Sequence, residues 1–307
     1  QLRVTEKSAR FLSGTGAVWH TARGFDSIVA YGRGGPDMLI IADTAGADQF
    51  EVEPRETSMI SPTYSVAAFG FRYATINRVN VNDAADTVTF GGSVGDDVFT
   101  ANPEVATMVR TDVQVGTKAY FSSTANGFPM VTAYSSGNGN DVAYLADSTG
   151  AADAPVRDDV FDARPVWSHL SSGTEYKLST YLFAEVHAEA GEGHDVAMMK
   201  GSPGVDTLGA SDTEVQISGV NVFQKNFGNY ARYFDEIHAN AGAGEDKAVL
   251  TDATVEADYA EPDGVDLKTL PQILWLNQFE KIEFWDSSTS SKTDDIDNID
   301  QVFAWWE

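Results

Sequence analysis

The sequence contains no cysteine, so neither a disulfide nor a thiolate metal site can hold this chain together. Positive charge is scarce: 20 Lys and Arg stand against 46 Asp and Glu, a net charge of -26. Such a surface repels nucleic acid and anionic membranes and attracts cations or basic partners, so no nucleic-acid partner is expected. No run of 18 apolar residues occurs, and no membrane insertion is expected. No helical periodicity stands out, and G-x-S-x-G, H-E-x-x-H and P-loop patterns are missing. A polysaccharide lyase needs a basic residue beside its substrate carboxylate, and the bases here are few and scattered. A glycosidase needs two carboxylates at a set separation, which spacing alone cannot pick out of 46. No catalytic residue is assigned.

What the chain does have is a repeat, and a fixed period governs the whole fold. A phenylalanine followed by alternating apolar and small residues recurs at Phe25, Phe71, Phe128, Phe183, Phe234 and Phe279. The first five copies each continue into a turn that ends in aspartate. These turns are "GRGGPD" at Asp37, "NVNDAAD" at Asp86, "GNGND" at Asp141, "GEGHD" at Asp195 and "GAGED" at Asp246. A second aspartate follows at Asp48, Asp97, Asp159, Asp206 and Asp258, and in four copies a proline closes the phrase (Pro54, Pro103, Pro165, Pro262). Residues 1–24 and 279–307 hold the back and front of one further unit. The whole chain, 1–307, therefore reads as one repeat domain.

Within each unit, stretches such as "DVAYLAD" and "DKAVLTD" alternate with period two between Gly, Asn, Asp and Ser turns. That pattern predicts three or four short strands per unit and an all-β fold. Two architectures accommodate it. One is a parallel β-solenoid of five to six repeats, favoured by the short turns and regular aspartates. The other is a six-bladed β-propeller whose last blade is split between the termini.

"G-x-G-x-D-x-A" and the "S-x-G-x-D" that follows it resemble the glycine/aspartate repeats of RTX-type β-rolls. The order of turns and strands is also similar to repeats in very large secreted proteins of planctomycete-type bacteria. The resemblance implies calcium held by the turn aspartates: Asp141, Asp195 and Asp246 match best, and Asp37 and Asp86 follow poorer turns. Stacked in register, these five would form a ladder of like charges that calcium could neutralise. The alternative is that each carboxylate accepts hydrogen bonds from its own turn amides.

His187 and His238 occupy equivalent positions beside Glu185 and Glu236, where a stacked pair could bind a transition metal or simply face solvent. Trp275, Trp285, Trp305 and Trp306 gather near the C-terminus, as a cap, a docking point or a sugar platform. The expected function is an extracellular structural or surface protein in a fibre, surface layer or adhesin, with self-association or other surface proteins as partners. A carbohydrate-active enzyme, a glycan-binding module and a propeller-type interaction domain are the alternatives. A chain that begins at Gln1 without a Met is expected to be a mature secreted form.

Overall fold

The computed structural model describes all residues except 6–7, 13–18, 33–34, 80–85, 116, 118, 148–155, 253, 257–272, 287–290 and 306–307. The described residues are strands and turns without a helix, so no helix is long and apolar enough to cross a membrane. Parallel strands stack repeat upon repeat into a β-solenoid of about six turns. A propeller would instead keep its pairing inside antiparallel blades. Here the pairing joins each repeat to the next in parallel, with matching register.

Two compact units make up the chain: residues 1–143 with 175–181, and residues 144–174 with 182–307. The first unit contains two ladders. One runs in the order Trp19–Arg23, Ser8–Leu12, Leu2–Thr5, Met38–Ala42, Tyr73–Asn77, Ser122–Asn126, Val105–Arg110, Asp97–Ala101. The other runs Ser27–Tyr31, Ser65–Phe69, Glu56–Ile60, Gln49–Glu53, Thr87–Gly91, Met130–Tyr134, Tyr176–Tyr181. Their apolar faces meet, with the rings of Phe90 and Phe99 5.7 Å apart, centroid to centroid.

The second unit is built the same way. Trp167–Ser172, Val160–Ala163, Val196–Lys200 and Glu236–Asn240 lead to Ile273–Asn277, the first part of the strand Ile273–Asp286. Glu185–Glu189, Asn226–Arg232, Glu214–Val220, Thr207–Ala210 and Lys247–Thr251 lead to the later part of that strand, from Lys281. Ile273–Asp286 thus ends both ladders, and Ser291–Trp305 pairs antiparallel along it.

Among the described residues, each of the four repeats that start at Phe25, Phe71, Phe128 and Phe183 holds five strands rather than three or four. The first three alternate between ladders; the third, fourth and fifth form an antiparallel meander. The extra strands arise where sequence reading placed a full stop. Pro54, Pro103 and Pro165 sit in the hairpin turn between the third and fourth strands, where a missing N–H costs no ladder bond.

An odd strand number has a geometric consequence: successive repeats begin on opposite ladders. Ser27–Tyr31 lies in one ladder, Tyr73–Asn77 in the other, and Met130–Tyr134 in the first again. The crossing is made at a corner with left-handed backbone, at Gly24, Gly70, Gly127, Leu182, Tyr233 and Gln278. Each precedes one of the six repeat phenylalanines, and all of those rings but Phe25 are buried.

The corner predicts a matched pair of variants. At Gly70 (φ 78°) an added Cβ would lie 2.7 Å from the carbonyl oxygen of Gly32, whereas at Gly24 (φ 74°) it would meet nothing within 4 Å. Gly24→Ala should cost only the left-handed strain, about 1–2 kcal/mol. Gly70→Ala should cost more, and equal urea midpoints for the two would contradict the close approach.

Candidate functional site

The repeat's carboxylates are the most concentrated chemistry in the molecule. Asp48, Asp86, Asp97, Asp141, Asp159, Asp195, Asp206 and Asp246 are all buried. The two aspartate series pair with each other, because the third strand of one repeat lies parallel to the second strand of the next. The Asp48 N–H donates to Asp86 Oδ1 at 3.0 Å, Asp97 N–H to Asp141 Oδ1 at 2.8 Å, Asp159 N–H to Asp195 Oδ1 at 2.8 Å, and Asp206 N–H to Asp246 Oδ1 at 2.7 Å. The upper aspartate thus ties the rung below to its own.

The lower aspartate closes its own turn. Asp206 accepts the Ser202 amide at 2.6 Å and its hydroxyl at 3.0 Å; Asp48 accepts the amide and hydroxyl of Thr44 at 2.5 and 3.0 Å. Asp97 takes both groups of Ser93 in the same way. The phrase is [ST]-x-G-x-D, present at Thr44–Asp48, Ser93–Asp97 and Ser202–Asp206. The recurring Ser or Thr four residues before the aspartate was the readable signal for these partners.

Burial raises six of these carboxyls against the bonds that favour ionisation. Asp97, Asp195 and Asp206 are pushed up to about 6, and Asp86, Asp141 and Asp246 are raised. Desolvation is the leading cause in each; the paired aspartate adds to it at Asp97 and Asp206, and Asp235 adds to it at Asp195. Arg78 pulls the other way at Asp86, with Nε 3.0 Å from Oδ2.

Within each unit the turn aspartates are not stacked on one another. Within the first unit Asp37 leads Met38–Ala42 in one ladder and Asp86 leads Thr87–Gly91 in the other. Within the second, Asp195 and Asp246 lead Val196–Lys200 and Lys247–Thr251, again in different ladders. Five strands per repeat is the reason. Asp37 is also only partly buried, and it receives the Tyr73 amide on its backbone carbonyl at 3.3 Å. Asp258 lies outside the described residues. Among the described residues no three His, Asp or Glu side chains group closely enough to hold a metal ion. Asp195 Oδ2 and Asp246 Oδ2 are buried without a hydrogen-bond partner.

The two histidines are separated for the same reason. His187 stacks between Tyr144 and Tyr230, with centroids 5.0 and 4.1 Å away. His238 belongs to the other ladder, with Nε2 2.6 Å from Glu236 and its ring parallel to Trp275 at 6.1 Å.

The outer face around His238 is the richest in recognition chemistry. One register row reads His169, Asp162, Met198, His238, Trp275 across five strands, and beside it runs Lys200, Asn240, Asn277. Asp162, Met198, His238 and Trp275 of that row, with Lys200, Asn240 and Asn277, line a groove of about 340 Å³. Arg164 reaches Asp162 at 3.2 Å and lies 4.7 Å over the ring of Trp167, which stacks on His169. Sequence reading missed the groove because its members span 162–277 and meet only through strand register. Trp285 sits in the other ladder, opposite Thr251; Trp305 pairs with Ile273, and Trp306 lies outside the described residues. A larger groove of about 730 Å³ in the first unit is lined by Arg55, Arg72 and Arg110 beside Glu53 and Glu56. Arg110 is held by Asp112, and Arg72 donates to the Thr117 carbonyl.

Fold and site together define an acidic all-β solenoid whose recurring carboxylates fasten rung to rung. No protein-family model, no curated protein and no solved structure matches the chain.

Proposed function

We propose that the chain is a structural repeat module of the cell surface or extracellular matrix. The observation that carries this reading is the use of the repeated aspartates: their bonds go to backbone amides and turn hydroxyls of the same or the adjacent rung. Chemistry that recurs with every repeat is thereby devoted to holding an extended stack together. The charge of -26 supports the same reading, since it keeps a strand-rich surface from aggregating edge to edge.

Calcium belongs to this proposal as reinforcement at Asp195 and Asp246, whose second carboxylate oxygens are buried without hydrogen-bond partners. Oxygen ligands of this kind suit a hard cation. A second reading, glycan binding, is favoured by the row from His169 to Trp275 with its flanking amides, since aromatic and planar polar groups together suit sugars.

Antibody labelling of intact source cells checks the first reading: surface signal without lysis is expected, and signal only after lysis would overturn it. Melting the purified chain in calcium and again in EDTA should show a higher Tm with calcium, reduced in Asp195→Asn. Identical melts remove calcium from the proposal. A glycan array with Trp275→Ala as control decides the second reading.

A further inference from the structure

The sequence contains Asn-Gly twice, at Asn126–Gly127 and Asn138–Gly139, and the fold treats the two in opposite ways. Asparagine before glycine is chemically labile, because a residue without Cβ lets its backbone nitrogen reach the asparagine side-chain carbon. The first pair is locked. Asn126 ends the strand Ser122–Asn126, its Nδ2 donates to Asn77 Oδ1 at 2.9 Å, and the Gly127 N–H donates to the Glu104 carbonyl at 2.7 Å.

The second pair is open. Asn138 is exposed in the "GNGND" turn, and among the described residues neither its side-chain amide nor the Gly139 N–H has a hydrogen-bond partner. The turn also cannot give up its glycine. Gly139 is left-handed (φ 95°), and a Cβ there would lie 2.5 Å from the carbonyl oxygen of Gly95 in a turn of the preceding repeat. Gly193 and Gly244 in the equivalent turns press on the carbonyl oxygens of Arg157 and Gly204 in the same way, but they follow Glu192 and Ala243. Close stacking of the turns demands the glycine, and only the third repeat places asparagine before it.

We propose that Asn138 is a site of spontaneous deamidation, and that the isoaspartate formed there loosens the joint between two repeats. The Gly139 nitrogen bonds to Cγ of Asn138 and gives up its proton, and the side-chain nitrogen leaves as ammonia. Water then opens the resulting succinimide. Cleavage at Cγ gives aspartate; cleavage at the backbone carbonyl gives isoaspartate, whose chain runs through the former side chain and is one methylene longer. Both products carry a negative charge that asparagine lacks.

The extra methylene falls where the turn is anchored. Asn140 donates its N–H to Asp96 Oδ1 at 2.8 Å, and Asp141 accepts Ser135 Oγ at 2.5 Å and the Asp97 N–H at 2.8 Å, the tie between rungs. The added charge joins Asp96 and Asp112, which already oppose ionisation of Asp141.

Ageing the purified full chain in mildly alkaline buffer tests this, with peptide mapping by a fragmentation method that separates isoaspartate from aspartate. In the folded chain Asn138 should convert at least about tenfold faster than Asn126, a difference of about 1.4 kcal/mol in barrier. In concentrated urea the two rates should converge. The aged chain should unfold at lower urea than the fresh one, whereas Asn138→Asp, which adds the charge without the methylene, should lose less. Asn126 converting as fast as Asn138 in the folded chain, or an aged midpoint no lower than that of Asn138→Asp, overturns the inference.

Discussion

Phe234→Ala is expected to lower the unfolding free energy by about 3–5 kcal/mol, the usual cost of emptying a core phenylalanine site. Phe234 is fully buried and packs 6.0 Å from Phe161 across the interior of its unit. The left-handed residue before it, Tyr233, fixes where the ring points, so the cavity cannot close by turning the corner. Phe25 occupies the same place in its repeat but is largely exposed, and Phe25→Ala should cost within about 0.5 kcal/mol, as surface changes do. Urea unfolding of both variants at low protein concentration checks the contrast. Equal losses would show that the corner phenylalanine stabilises by some means other than burial.

The second large effect is a pH dependence of unusual sign. Burial pushes the carboxyls of Asp97, Asp195 and Asp206 up to about 6 from an ordinary 3.8, so the folded chain binds protons that the unfolded chain does not over that interval. A raised folded pKa gives stability that is fully present below the unfolded value and lost as pH rises through the folded one. Stability should therefore increase as pH falls from about 7 to about 4. Each of the three groups, taken alone, corresponds to about 2–3 kcal/mol over that range.

Below pH 4 the trend should reverse. Glu283 is held down to about 2 by Lys247 at 2.6 Å and Lys281 at 3.1 Å, and that contribution is lost as it protonates. Urea midpoints at successive pH values test this, with Asp206→Asn flattening part of the slope. Repulsion among the surface carboxylates has the same sign but is screened by salt, whereas the buried part is not. A midpoint that falls steadily from pH 7 to pH 5 in high salt would sink the claim.

Local pattern and tertiary geometry decided different things in this chain. Period-two alternation, the six phenylalanines and the paired aspartates are local, and they determine strands, turns, repeat boundaries and the burial of one residue in two. Even the partners of Asp48, Asp97 and Asp206 are local, four residues upstream. Period two also made a solenoid and a propeller equally writable, because it specifies faces and not neighbours.

Neighbours follow from the parity of the strand count. Five strands per repeat send Asp195 and Asp246, and His187 and His238, to different ladders, although each pair is equivalent in sequence. The same parity sets Asp206 beneath Asp246, and strand register brings Asp162, Met198, His238 and Trp275 into one row. The fifth strand came from a hairpin at Pro54 and its counterparts, and a hairpin forms or fails on long-range pairing that no short window of sequence contains. The residues thus determined what each rung is made of, and only the folded stack decided which rung each residue touches.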